Sequence, residues 1–63
     1  MKIIKLTNHN RIQIYVNAAH IKLIMPMIAD PDWPLCKSLV DLVDDSRVYA
    51  LETPEQVLGE IMG

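Results

Sequence analysis

The stretch Arg11-Ile12-Gln13-Ile14-Tyr15-Val16-Asn17 alternates apolar and polar residues without a break. In an extended chain this places Ile12, Ile14 and Val16 on one face and Arg11, Gln13, Tyr15 and Asn17 on the other, the pattern of a half-buried β-strand. Just before it, Thr7-Asn8-His9-Asn10 separates two apolar-rich runs. Asn and His tolerate the left-handed backbone that a tight reversal needs, so the two runs are read as a β-hairpin with its left-handed position among Asn8, His9 and Asn10. The first arm, Lys2 to Thr7, carries Ile3, Ile4 and Leu6 on both faces. Such a strand is expected to be deeply packed or to lie at a contact between two copies of the chain.

Downstream, Ile21, Leu23, Met25 and Met27 recur at period two and predict a third strand, with Pro26 at its edge or end because proline has no amide donor. A short helix around Ala18, Ala19 and Lys22 is the alternative reading of its beginning. Ala29-Asp30-Pro31-Asp32-Trp33-Pro34 is a strong loop signal, since each proline drives its predecessor out of helical geometry. Cys36 to Val43 and Arg47 to Leu51 read as two strands joined by the polar turn Asp44-Asp45-Ser46. Thr53-Pro54-Glu55-Gln56 then combines an N-cap, proline in the first helical position and a capping box, so a helix is predicted over 54–62. Its apolar side is Val57, Leu58, Ile61 and Met62. Gly59 weakens it by about 1 kcal/mol relative to Ala, which implies either close packing or a frayed end. The expected fold is mostly β (α+β), one domain over 1–63. Its form is an antiparallel, five-stranded curled sheet or small open barrel with a C-terminal helix.

At 63 residues and 22% charged, the chain is too short for several domains, and a core this small is marginal without a partner or a second copy. The net charge of −2 is unevenly spread. Lys2, Lys5, Arg11 and Lys22 give residues 1–29 a charge of +4, whereas the part from Asp30 onward carries −6. Two readings fit: a basic face for an acidic partner, or cross-strand pairing of early bases with later acids. Four dispersed basic residues and a negative total weigh against nucleic acid. A single cysteine, Cys36, excludes an internal disulfide and points to the cytoplasm. The Ile21 to Ala29 run is broken by Lys22 and Pro26, so no membrane span is expected, and no signal-peptide pattern precedes it.

Little in the sequence suggests chemistry. Cys36 has no neighbouring histidine, His9 and His20 lack the spacing of a metal pair, and no glycine-rich phosphate loop exists. The chain is therefore expected to be non-enzymatic, with no catalytic residue, cofactor or metal. What remains is Trp33 in its proline-bounded loop, either a partner anchor or a lid folded over the core. Asp30, Asp32, Trp33 and Tyr15 are the candidate partner-binding residues.

Ile4-Lys5-Leu6-Thr7, Val16-Asn17-Ala18-Ala19-His20-Ile21 and Glu52-Thr53-Pro54-Glu55-Gln56-Val57-Leu58-Gly59-Glu60-Ile61 together resemble the small FlbD-type flagellar and swarming-motility proteins. The likeness covers most of the chain and extends to small phage-encoded domains. It implies a non-enzymatic cytoplasmic flagellar accessory protein with no catalytic residues to carry over. The chain departs from the family pattern at Pro26 to Leu35, where the family has a shorter turn; the enlarged loop with Trp33 implies a different or added partner. The expected role is a protein-interaction module that forms a homo-oligomer. The alternatives are a phage or mobile-element inhibitor or adaptor that binds a host complex, and a small-barrel nucleic-acid binder in which Tyr15 stacks on a base.

Overall fold

In the computed structural model, which describes residues 1–28 and 31–63, β1 (Ile3–Thr7) and β2 (Gln13–Asn17) form the first hairpin. Ile4 lies opposite Val16 and Leu6 opposite Ile14, all on the inner face. The Asn8 side chain accepts the amides of Asn10 and Ile12 and shapes the turn. The left-handed residue is Arg11, at φ 64°, and not Asn8, His9 or Asn10. Because the turn closes on Ile12 through the Asn8 amide, Ile12 belongs to the turn and is 57% exposed. The expected three-residue apolar face therefore reduces to Ile14 and Val16.

A 3₁₀ turn, Ala18–His20, capped by the Asn17 side chain, leads into β3 (Ile21–Pro26). The helical and strand readings of this stretch thus each hold for part of it. β3 pairs with β4 (Ser38–Leu42), and β4 with β5 (Arg47–Ala50), both antiparallel. Pro26 is the last residue of an edge strand, where its missing amide costs no ladder bond. The register shifts between Ile21 and Leu23. This bulge brings Ile21 and Ile24, three apart, onto the core and turns Leu23 outward at 47% exposure. The expected Ile21-Leu23-Met25-Met27 face is therefore replaced by Ile21 and Ile24. Asp44-Asp45-Ser46 closes the second hairpin much as Asn8 to Ile12 closes the first, with Asp45 left-handed at φ 68°. The Ser46 hydroxyl and amide hold the Asp44 carboxyl below its usual range.

α1 (Pro54–Met62) begins with the predicted capping box, Thr53 and Gln56 bonding each other's backbone amides. Val57 is fully buried and Ile61 packs on the core. Leu58 and Met62, 48% and 78% exposed, do not dock as expected, because they lie one helical step round from that ridge. A methyl group at Gly59 would meet nothing within 4 Å, so close packing is not the reason for glycine there.

The single five-stranded sheet or barrel does not form. The strands divide into a two-stranded sheet, β1-β2, and a three-stranded sheet, β3-β4-β5. β1 and β5 meet only at one corner, where Asn8 bridges Ala50 and the Leu51 amide donates to the Thr7 carbonyl at 2.9 Å. Beyond Ala50 the chain leaves the strand to start the helix, so the ladder cannot continue. The corner is secured by Glu52, whose carboxylate accepts the Thr7 amide at 2.9 and 3.0 Å and the Thr7 hydroxyl at 2.8 Å. The fully buried Ser38 donates its hydroxyl to the Glu52 carbonyl at 2.6 Å. Ile4, Leu6, Val16, Val40 and Val57 fill the space that the two sheets and the helix enclose.

The uneven charge is resolved only in part by internal pairing. Lys22 pairs with Asp45 at 3.1 Å, an early base with a late acid, and Lys2 donates to the Gly63 carbonyl at the end of α1. Arg47 and Asp41, 2.9 Å apart on adjacent strands, are both late in the chain. That contact raises the Arg47 pKa. Lys5 and Arg11 enter neither ion pair.

Glu52→Ala removes three contacts and strands the Thr7 amide, and is expected to cost about 2–3 kcal/mol in urea denaturation; a loss below about 0.5 kcal/mol would show that the corner does not depend on it. Gly59→Ala, with open space for its methyl group, is expected to stabilise the fold by up to about 1 kcal/mol in the same measurement. A destabilised Gly59→Ala chain would contradict the packing described.

Candidate functional site

Three ring-bearing residues from distant parts of the chain meet at the corner where the sheets join. His9 comes from the turn between β1 and β2, Trp33 from the loop between β3 and β4, and Tyr49 from β5. Trp33 and Tyr49 stack with ring centres 4.8 Å apart at 19°, and His9 stands edge-on to Trp33 at 4.3 Å and 64°. His9 is also edge-on to Tyr49 at 6.0 Å. The loop that bears Trp33 is closed locally by the Cys36 amide donating to the Trp33 carbonyl at 3.1 Å. Trp33 is half-buried. Its ring covers Tyr49 while its margin lines a concavity of about 210 Å³, with His9, Asn10, Asp32, Pro34, Leu35 and Cys36 as the other walls.

The concavity combines an aromatic wall, an aliphatic lip in which Leu35 is 51% exposed, and the acidic Asp32. His9 Nδ1 is buried without a hydrogen-bond partner. Cys36 is buried and lines the same concavity as His9. No group of three or more His, Cys, Asp or Glu side chains suited to a metal ion occurs among the described residues. What the arrangement offers is a preformed surface for an apolar side chain, bordered by negative charge.

Of the residues singled out from the sequence, Asp32 and Trp33 line this concavity together. Asp30 lies outside the described residues. Tyr15 stands elsewhere, on the outer face of β2 opposite Lys5, and is 70% exposed. His9 and Tyr49 escaped sequence reasoning because each sits in an ordinary local setting, a turn and a short strand. The register that brings Tyr49 opposite Leu39 and the Asn8–Ala50 bridge beside it are what create the site.

A larger, shallow groove of about 420 Å³ runs between β1 and α1. Glu52 and Gln56 on its walls already bond Thr7 and Thr53. No helix among the described residues is long and apolar enough to cross a membrane. Comparison with protein-family models, with curated proteins and with solved structures finds no match.

The stack can be tested as a unit. A double-mutant cycle of Trp33→Leu and Tyr49→Leu, followed by urea denaturation, is expected to give a coupling of about 0.5–1.5 kcal/mol; additive effects would mean that the two rings do not support each other.

Proposed function

We propose that this chain is a non-enzymatic protein-binding module whose partner contact is the concavity at Trp33. The observation that carries this reading is the Trp33–Tyr49 stack with His9 against its edge, which ties Trp33 to β5 and to the first hairpin turn. A loop ordered in advance loses less conformational freedom on binding, and tryptophan contributes strongly where a partner covers it. Leu35 and Pro34 form the apolar lip and Asp32 supplies charge, so the preferred partner segment presents an aliphatic side chain next to a basic one. The resemblance to FlbD-type proteins supports a cytoplasmic component of the flagellar motor as the partner. A phage-type adaptor would use the same surface against a host protein.

The test is affinity capture from the native cell lysate with the wild type, Trp33→Ala and Leu35→Asp, read by mass spectrometry. Leu35 is half-exposed, so Leu35→Asp is expected to keep the wild-type melting temperature while losing the specific partner. The same proteins captured by all three forms would overturn the assignment of the site. Tight binding of a single-stranded oligonucleotide that weakens steeply with salt, with no protein captured, would replace it with the nucleic-acid reading.

A further inference from the structure

The open edge of β2 differs from the other strand edges. β1 is flanked by β2 on one side; on the other it is tied at its Thr7 end, where Asn8 bridges Ala50 and Thr7 bonds Leu51 and Glu52. The outer edge of β3 carries Lys22, a bulge and Pro26, and the start of α1 lies beside Ile24. Those are the devices by which strand edges avoid pairing with other chains. β2 has none of them: from Ile12 to Ala19 there is no charged residue and no proline, and its ladder with β1 runs without a register shift.

The backbone groups on that edge can be assigned. Asn8 donates to Ile12 and Ala18 to Lys2, and bonded pairs alternate along an antiparallel ladder. Ile14 and Val16 therefore direct their amides and carbonyls to β1, and Gln13, Tyr15 and Asn17 direct theirs away from it. The Thr7 bonds to Leu51 and Glu52, on the far side of β1, follow from the same alternation. The edge sequence Gln13-Ile14-Tyr15-Val16-Asn17 is also symmetric in character about Tyr15, reading amide, aliphatic, aromatic, aliphatic, amide.

We propose that two copies of this chain pair antiparallel through β2, about a two-fold axis at Tyr15. Tyr15 then exchanges both backbone bonds with the partner's Tyr15, and the partner's Asn17 amide donates to the Gln13 carbonyl. On the core side Ile14 meets the partner's Val16, and the exposed Ile12 gains the partner's Ala18 as an apolar neighbour. No charge lies on either strand. The nearest bases across the seam are Arg11 and the partner's Lys2, two strand spacings and about 10 Å apart, and then Lys5 and the partner's Lys5 at about 14 Å, separations beyond the ~8 Å screening length of physiological salt. Such an interface uses the same edge of both copies and so closes on itself. With β3 protected and β1 tied to Leu51 and Glu52 at Thr7, a closed dimer is the expected assembly.

The proposal is independent of the Trp33 site and is tested on the intact chain. Sedimentation equilibrium at tens of micromolar is expected to return the dimer mass. Tyr15→Lys, which sets like charges opposite each other, is expected to weaken the dimer at least ~10-fold. Val43→Lys, at another exposed apolar position, is expected to leave it unchanged. Because Tyr15→Lys also alters a strand, a second readout is oxidative cross-linking. Tyr15→Cys places the two sulfurs on residues whose Cα atoms are about 5.5 Å apart, within disulfide range. Gln13→Cys leaves them about 14 Å apart and is expected not to link, with Cys36 a constant background in both. A monomeric wild type, a Tyr15→Lys chain that dimerises as well as the wild type, or equal cross-linking of the two cysteine variants would overturn the proposal.

Discussion

The fold depends on how a short β1 and a short β5 are held at one corner without a continuous ladder between them. Glu52 does this by placing a carboxylate where a neighbouring strand would have placed a carbonyl, accepting the Thr7 amide and hydroxyl together. Hydrogen bonds to a charged acceptor are about twice as strong as neutral ones. A single side chain can thus stand in for a missing ladder, and the Glu52 carbonyl, bonded by buried Ser38, extends the tie to β4. Glu52 immediately precedes the capping box, so the residue that joins the sheets also sets where α1 begins.

The same corner produces the candidate site. The Asn8–Ala50 bridge brings the first hairpin turn beside the end of β5, which places His9 near Tyr49 and leaves an apolar patch that the loop at Trp33 closes. The two readings of Trp33, lid and anchor, are then compatible in geometry. One face of the ring completes the packing and its margin borders the concavity. A small domain has little interior, so residues that stabilise it also form its surface.

The two left-handed turn residues, Arg11 and Asp45, show a related economy of design. Both hairpins close in the same way, a turn followed by one left-handed residue, although neither has glycine there. At Asp45 the residue type tolerates that backbone well, and its carboxylate pairs with Lys22. At Arg11 the side-chain bonds of Asn8 hold the turn. Turn geometry is thus set by neighbouring hydrogen bonds and not only by the residue that adopts the uncommon angle.

Local periodicity and capping in the sequence were enough to determine the five strands, the helix start at Pro54 and the hairpin pairing, because these depend on residues close together in the chain. Ile14 and Val16 on one face, Pro26 at a strand end and Thr53 with Gln56 were all legible in this way. The places where the structure departs from that reading are those where distant parts meet. The β3 bulge exchanged Leu23 for Ile24 in the core, and docking on a small surface chose Val57 and Ile61 over Leu58 and Met62. The division into two sheets and the meeting of His9, Trp33 and Tyr49 likewise arose from the Glu52 corner. Only tertiary structure could decide these, since each is a competition for limited buried area and backbone partners between segments that no local pattern connects.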